Sequence, residues 1–561
     1  MRTFWLIAVA VAATSLLILG ADWPTQGGSP QRSGWARSER LIDKSNVSAL
    51  KLLYKYQADN VSSGANSLTS PIIDGNLITY RGFKEMLLFG ASSDRVFSVD
   101  ADLNKRLWVA RLRNAGDKPP QSPTLACSGG LTAPVVMAGS SSASLHFAAD
   151  ASRMSAALGA KRKRPSPYFP PLDRSLYPLT PETLTQLAAL YAVSSDGNLH
   201  VLNSSTGKDL LPPVKFLPPD AKVTSLNVWE NVIYATTANN CDGYQNALFA
   251  LDLLSREKRV VSFAPEGGSF AGSGGTSIGN DGTVYVYVIY APDATAERHQ
   301  DTIYALTPKD LKQKNYFTLE DKAINKKDSW APGITPLVFS YEKRDLVLAG
   351  GRDGRLYILD SRSLGGADHH TPLFASGPFA RPAKNYDGTG FRGAFSSWVD
   401  VDTNTRWFYA PVYGPLSRSA KSSSARIGPV SGSVVAFKLA GEDAQPALLP
   451  VWLSREIVSP APVVIANGMV FVLSTGESSR HSKKDGSAYG ISEFQRMASP
   501  ATLYALDAMT GKELYSSGDA VTTDSYSGGL AVANGRVYFT TRDNAVYCFG
   551  LLNGQSQLRE Q

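Results

Sequence analysis

Apolar and polar residues alternate in short runs along this chain, with no sustained helical spacing, so the periodicity predicts strands. One five-position phrase recurs eight times: apolar, usually aromatic or bulky, any, apolar, then often Asp. Its copies end at Asp100 (after Val96, Phe97, Ser98 and Val99), Asn203, Asp252, Thr307, Asp360, Lys438, Asp507 and Gly550. The intervals are 103, 49, 55, 53, 78, 69 and 43 residues. The shorter ones match the roughly 40–50 residues of a four-stranded propeller blade. Around the fifth copy a whole unit is legible: strands over 334–340, 345–349 and 355–360, a turn at Asp353 and Gly354, and a short strand near 371–374. The last copy supplies three strands, 529–533, 535–541 and 545–549, and lacks a fourth. An alternating run at 51–57 stands ahead of the first complete unit without a blade of its own. Pairing the two closes a ring and removes the exposed sheet edges. The pattern therefore predicts an all-β, eight-bladed β-propeller closed by an N-terminal strand.

The longer intervals read as a blade plus an insertion, near 138–187, 415–430 and 476–500. The first holds the basic run Lys161-Arg162-Lys163-Arg164, several prolines and a short capped helical pattern after Thr180. The other two fall between the second and third strands of their blades, which places both on one face, as surface loops or as a lid over the central channel. Composition adds one exclusion: a net charge of +7 with 19% charged residues is no polyanion-binding balance, so nucleic acid is not an expected partner.

At the start, Arg2 precedes an apolar run over 4–19, then Gly20, Ala21 and the polar Asp22. That order predicts a signal peptide over 1–21, a mature chain from Asp22 and a periplasmic or secreted location, with an uncleaved anchor as the alternative. No later stretch has the roughly 20 apolar residues that cross a bilayer. Of the three cysteines, Cys127 precedes the expected innermost strand of the second blade (131–136), and Cys241 lies in a turn of the third. Both face one side of neighbouring blades, which predicts a Cys127–Cys241 disulfide, against the competing arrangement of three reduced thiols. Cys548 alternates inside a strand and is expected to be a buried thiol.

Residues 503–515 (Leu-Tyr-Ala-Leu-Asp-Ala-Met-Thr-Gly-Lys-Glu-Leu-Tyr) and the opening Asp22-Trp23-Pro24 with Gly27, Gly28, Pro30, Arg32 and Gly34 resemble the pyrroloquinoline-quinone (PQQ) repeat propellers of the quinoprotein alcohol dehydrogenase-like family. The resemblance runs over essentially 22–550. It implies the propeller fold without fixing an activity, because the same repeat builds dehydrogenases and non-enzymatic assembly proteins. It also implies a Trp at the end of each repeat that docks on the next blade. Trp108 fits that place in the first unit, and Tyr515 replaces it in the seventh.

A quinone enzyme of this fold needs an aromatic surface for the ring, cations for its carboxylates, a carboxylate-held Ca²⁺ and a carboxylate base. Near the blade entrances the candidates are Trp330 and Trp398 for stacking, Arg392 for a carboxylate, and Asp328, Asp387 or Asp524 as base or metal ligand. No metal site and no catalytic residue is assigned. The adjacent cysteines that bridge over the cofactor in the family's alcohol dehydrogenases have no counterpart here, and His369 with His370 reads as a surface turn. Two functions follow. One is an exported binding or scaffold propeller holding a protein or small molecule on one face. The alternative is a periplasmic PQQ-dependent alcohol or polyol dehydrogenase, with PQQ and Ca²⁺ as cofactors.

Overall fold

The computed structural model describes residues 21–79, 82–113, 123–137, 146–147, 189–255, 257–290, 301–319, 333–381, 388–417, 431–441, 445–485, 487–526 and 529–552. Eight sheets of four or five strands form eight blades, antiparallel throughout except that His146–Phe147 pairs in parallel with Ile72–Thr79 of blade 1. Blade 1 runs outward from Ile72–Thr79 through Gly82–Ala91 and Arg95–Asp100 to Lys105–Arg111. The innermost strands of blades 2, 3, 5, 6 and 7 are Val136–Met137, Lys222–Trp229, Leu337–Tyr341, Ser396–Asp400 and Val464–Ala466; blade 4 begins with Gly268–Phe270 and Ser277–Ile278. Blade 8 takes Ala531–Ala533, Arg536–Thr541 and Ala545–Gly550 from the end of the chain and Lys51–Gln57 from its start. That outer strand is antiparallel to its partner, with Lys51 opposite Gly550 and Gln57 opposite Ala545.

Every copy of the repeated phrase is the third strand of its blade or the residue that ends it. The final Asp or Asn has a mechanical reason. Asp100 Oδ1 accepts the backbone N–H groups of Asp102 and Leu103, Asn203 those of Ser205 and Thr206, and Asp507 those of Met509 and Thr510. The side chain thus closes the turn that sends the chain back as the fourth strand. Third strands such as Leu356–Asp360 and Ala545–Gly550 are buried along their whole length, because both faces pack against other blades.

Every junction is packed by an apolar cluster. Leu131 and Val135 meet Leu88 and Val96 between blades 1 and 2, Phe339 meets Phe408 between blades 5 and 6, and Val434 meets Val470 between blades 6 and 7. The largest cluster joins blade 7 to blade 8 and blade 8 to blade 1, around Phe471, Phe539, Phe549 and Phe89. Trp108 spans one junction, its indole N–H donating to Ser204 O (2.8 Å), and Trp452 spans another through Ala508 O (2.9 Å). The second docking tryptophan was missed in the sequence.

The strand expected near 371–374 is Phe374–Ala375 and the one at 529–533 is Ala531–Ala533; two others are interrupted by proline. The strand expected at 334–340 is split at Pro336, which has no N–H to give a ladder: Ile334–Thr335 pairs in parallel with Gly393–Ala394, and blade 5 begins at Leu337. Pro134 likewise shortens the strand expected at 131–136 to Val136–Met137.

The segment 22–39 lies inside the ring. Its backbone bonds to the innermost strands of blades 1, 2, 4, 5, 6 and 7 at Ile73, Met137, Ile278, Val338, Ser397 and Ile465. Blade 3 is held by Arg32, which is 1% exposed and donates to Ser225 Oγ (2.9 Å) and Leu226 O (2.8 Å). Residues 1–20, 138–145 and 148–188 lie outside the described residues, and with them the expected signal, the basic run and the capped helix. So do 418–430 of the second insertion.

Candidate ligand-binding site

Each innermost strand leaves one face of the ring, and each second strand returns to it. Residues that precede a first strand or follow a second strand therefore share a face, here called the upper face. Lys222 opens the first strand of blade 3, Arg392 lies in the entry to blade 6, and Asp524 in the entry to blade 8. Glu477 follows the second strand of blade 7, and Arg542 that of blade 8. Five charged side chains from four blades meet there.

The Arg392 guanidinium lies over the Tyr413 ring, 4.6 Å from its centroid. Its Nη2 is 3.0 Å from His481 Nε2 and 3.6 Å from Glu477 Oε1. His481 Nε2 is also 3.0 Å from that carboxylate oxygen. One ring nitrogen thus faces a donor and an acceptor: protonated it donates to Glu477, and unprotonated it accepts from Arg392. Burial, reinforced by Arg392 and opposed by Glu477, lowers the His481 pKa and favours the neutral ring. Burial pushes Lys222 down to about 8, against the pull of Glu477, with Arg392 adding to the drop. Lys222 is enclosed by protein yet keeps some accessible surface, as a side chain lining a channel mouth does. It makes no ion pair among the described residues.

Asp524 is 1% exposed and receives Arg542 Nη2 at 2.5 Å on one oxygen. Its other oxygen, and Nη1 of Arg542, are buried with no hydrogen-bond partner among the described residues. Burial raises the Asp524 pKa; Arg542 opposes and Glu477 adds to the rise. Unmet polar atoms of both signs on one buried ion pair are groups that a polar ligand would complete.

The insertion at 476–500 crosses this face. Its helix Ile491–Arg496 starts with Gly490 N–H donating to Glu493 Oε2 (2.9 Å), and Lys483 pairs with Glu493 at 3.1 Å. Phe494 is fully buried with Ala65 and Leu125, segments that enter blades 1 and 2, and its ring meets the edges of His481 and Tyr526 at 5.0 and 5.8 Å. The strap therefore spans from blade 7 to blade 2, and its helix packs Phe494 against the strap's own His481.

Of the residues proposed from sequence, Arg392 and Asp524 are brought to this site. Trp398 is not: it is 7% exposed in the core between blades 6 and 7, its indole N–H donating to Tyr409 Oη at 2.7 Å. It sits three residues before the turn to the lower face, which is why an entry-loop reading misplaced it. Asp328, Trp330 and Asp387 lie outside the described residues. Lys222, Tyr413, Glu477, His481 and Arg542 were missed. Glu477 and Arg542 had a usable signal, since both stand within three residues of the end of a second strand.

Cys127 and Cys241 form a disulfide, Cα–Cα 5.6 Å, beside Asn239 Nδ2–H donating to Ala126 O at 2.6 Å. Cys548 is free and buried, and burial pushes its pKa up to about 12. His369 stacks on Tyr316 (3.9 Å) and His370 reaches Thr318 O (3.0 Å), so this pair fastens blade 5 to blade 4. Among the described residues, no three His, Cys, Asp or Glu side chains are grouped to hold a metal ion.

No protein-family model and no curated protein matches the chain. Solved structures do. A quinohemoprotein alcohol dehydrogenase from Comamonas testosteroni is 13% identical with a TM-score of 0.55, covering 95% of this chain and 80% of its own. The quinohemoprotein alcohol dehydrogenase ADHIIG from Pseudomonas putida HK5 gives 12% and 0.56 over the same shares. A europium-containing methanol dehydrogenase gives 12% and 0.52, covering 95% of this chain and 98% of its own. The chain thus has the quinoprotein alcohol dehydrogenase-like propeller fold.

Proposed function

We propose that this protein is an exported quinoprotein-type oxidoreductase, which binds pyrroloquinoline quinone on its upper face and oxidises an alcohol or polyol. The observation that carries the reading is the incomplete charge arrangement there: Lys222 without an ion-pair partner among the described residues, and the unmet atoms of Asp524 and Arg542. A ring bearing three carboxylates suits Lys222, Arg392 and Arg542. The Ca²⁺ that such a cofactor takes finds no group of three donors among the described residues, so no step is assigned to a metal. Export is supported by the N-terminal apolar run and by the Cys127–Cys241 bridge, which persists in an oxidising compartment.

When bound, the quinone supplies a two-electron acceptor for the conversion of an alcohol to its carbonyl. The chain does the rest. Lys222 and Arg392 attract and orient the anion, with Tyr413 fixing the Arg392 plane. His481 and Glu477 hold a proton at Nε2. The strap around Phe494 keeps water from the site and strengthens those contacts.

A second reading, a binding propeller without redox chemistry, is favoured by one contact: Glu477 is already engaged by Arg392 and His481, which ties up this carboxylate in holding the site together and not as a base for alcohol oxidation. Titrating purified protein with the quinone and Ca²⁺, while following bound-cofactor absorbance and dye reduction with alcohols, separates the two. Binding with alcohol-dependent dye reduction supports the oxidoreductase. Binding without turnover supports the second reading, and no binding defeats the first.

Lys222 sets the pH dependence. Its lowered pKa means that the free site loses this charge as pH rises through about 8, so affinity for the anion falls above pH 8, by up to tenfold per pH unit. Lys222→Gln is expected to weaken binding and flatten that profile, whereas an affinity constant from pH 7 to 9.5 would remove Lys222 from the site.

A further inference from the structure

The far end of the strap rests on the segment that carries the disulfide. Phe494 packs with Leu125 and Ala65, all three buried, and Tyr489 and Tyr526 border the cluster. Pro123 and Ile491 close over Gly64, where a Cβ would lie 3.1 and 3.3 Å from them. Thr124 and Cys127 bond to each other twice, at 3.0 and 2.9 Å, so the turn bearing Leu125 moves with the Cys127 sulfur. That sulfur is bonded to Cys241, in the turn between the second and third strands of blade 3.

Other ties at this end of the segment are weak. Asn239 donates to Ala126 O through an exposed hydrogen bond, which contributes little. The bonds from Ser63 and Asn66 to Ser128, Gly129 and Leu131, and that of Thr132 to Val223, all act beyond Cys127. The strap helix Ile491–Arg496 has six residues, too few to keep its shape without an anchor. One ring couples the two ends: Phe494 packs with Leu125 and meets His481 at 5.0 Å, and His481 reaches Glu477 and Arg392.

We propose that the Cys127–Cys241 bridge is a redox latch for the strap, opened by a dithiol reductant. Cys127 is half-buried and Cys241 is 4% exposed, so the reductant's thiolate attacks Cys127 Sγ. The protein S–S bond breaks, a mixed disulfide forms, and Cys241 leaves as a thiolate that takes a proton from solvent. The reductant's second thiol then attacks the mixed disulfide and frees Cys127, giving two protein thiols for one reductant disulfide. Leu125 loses its fixed position, and Phe494 and the strap leave the upper face.

The consequence for quinone binding rests on the upper-face reading above, whereas the latch is read without ligand. Hydrogen exchange in the ligand-free full chain, with and without dithiothreitol and well below the unfolding midpoint, tests it. Amides of 488–498 should exchange at least about tenfold faster after reduction, while the blade 8 strand Arg536–Thr541 keeps its rate. Reoxidation should restore the slow rate. Cys127→Ser with Cys241→Ser should be fast at the outset and indifferent to dithiothreitol, and Phe494→Ala should be fast with the bridge intact. An unchanged strap after reduction, equal acceleration in Arg536–Thr541, or a double variant that still responds to dithiothreitol would each overturn the latch. Failure of the quinone to bind would defeat the upper-face reading alone.

Discussion

At the scale of single residues, the repeat encodes its own docking contacts. The Thr-Gly-Lys step after the third strand puts Gly207 and Gly511 at φ 67° and 71°, each against the indole of the preceding blade. A Cβ there would come within 2.4 Å of Trp108 or 2.7 Å of Trp452. Gly207→Ala and Gly511→Ala therefore combine a left-handed backbone penalty of about 1 kcal/mol with overpacking of about 1–3 kcal/mol. Gly518→Ala, at φ 54° with nothing within 4 Å of the new atom, should lose only the first part. Urea midpoints of the three variants check this, and equal losses would mean that the indole contacts contribute nothing. Trp108 was legible because it falls at a regular distance from Asp100. Trp452 was not, because the connection before its strand is longer: it stands 14 residues after Lys438, where Trp108 stands 8 after Asp100.

At the scale of elements, the N-terminal portion acts as two pieces. Residues 22–39 fill the inside of the ring, and Lys51–Gln57 completes blade 8. Arg32 is buried among neutral oxygens of residues 25, 26, 225, 226 and 276, to which it donates through a charge-assisted fork. Removing residues 22–57 strips the innermost strands of their backbone partners in 22–39 and leaves Ala545–Gly550 as a bare edge. The truncated chain should give no soluble folded protein, and adding a 22–57 peptide during refolding should restore it. A soluble truncated chain with an unchanged melting temperature would show that the ring closes without this segment. The closing strand was readable because alternation with no blade around it is itself a signal. The path of 22–39 through the ring was not, because its bonds run through backbone groups and through glycines that carry no periodicity.

At the scale of the whole molecule, legibility follows the same division. The eight third strands could be read because each must be apolar on both faces and end in a turn-forming residue. The upper-face site could not, since Lys222, Glu477 and His481 come together only when blades 3 and 7 meet across the ring, at a distance no local pattern encodes. The disulfide belongs to this scale too, because it ties blade 2 to blade 3 across 114 positions of chain. Closing a loop of that length restricts the unfolded state by at most roughly 4–5 kcal/mol in a chain-entropy estimate. Thiol counting on denatured, unreduced protein should find one reactive group, Cys548, and three after reduction. Reduction should lower the urea midpoint by up to that energy divided by the slope of the transition, with Cys127→Ser/Cys241→Ser unfolding where the reduced protein does. If three thiols react without reduction, or if reduction leaves the midpoint in place, the two blades are held by their apolar contacts around Leu226 and Val201 alone.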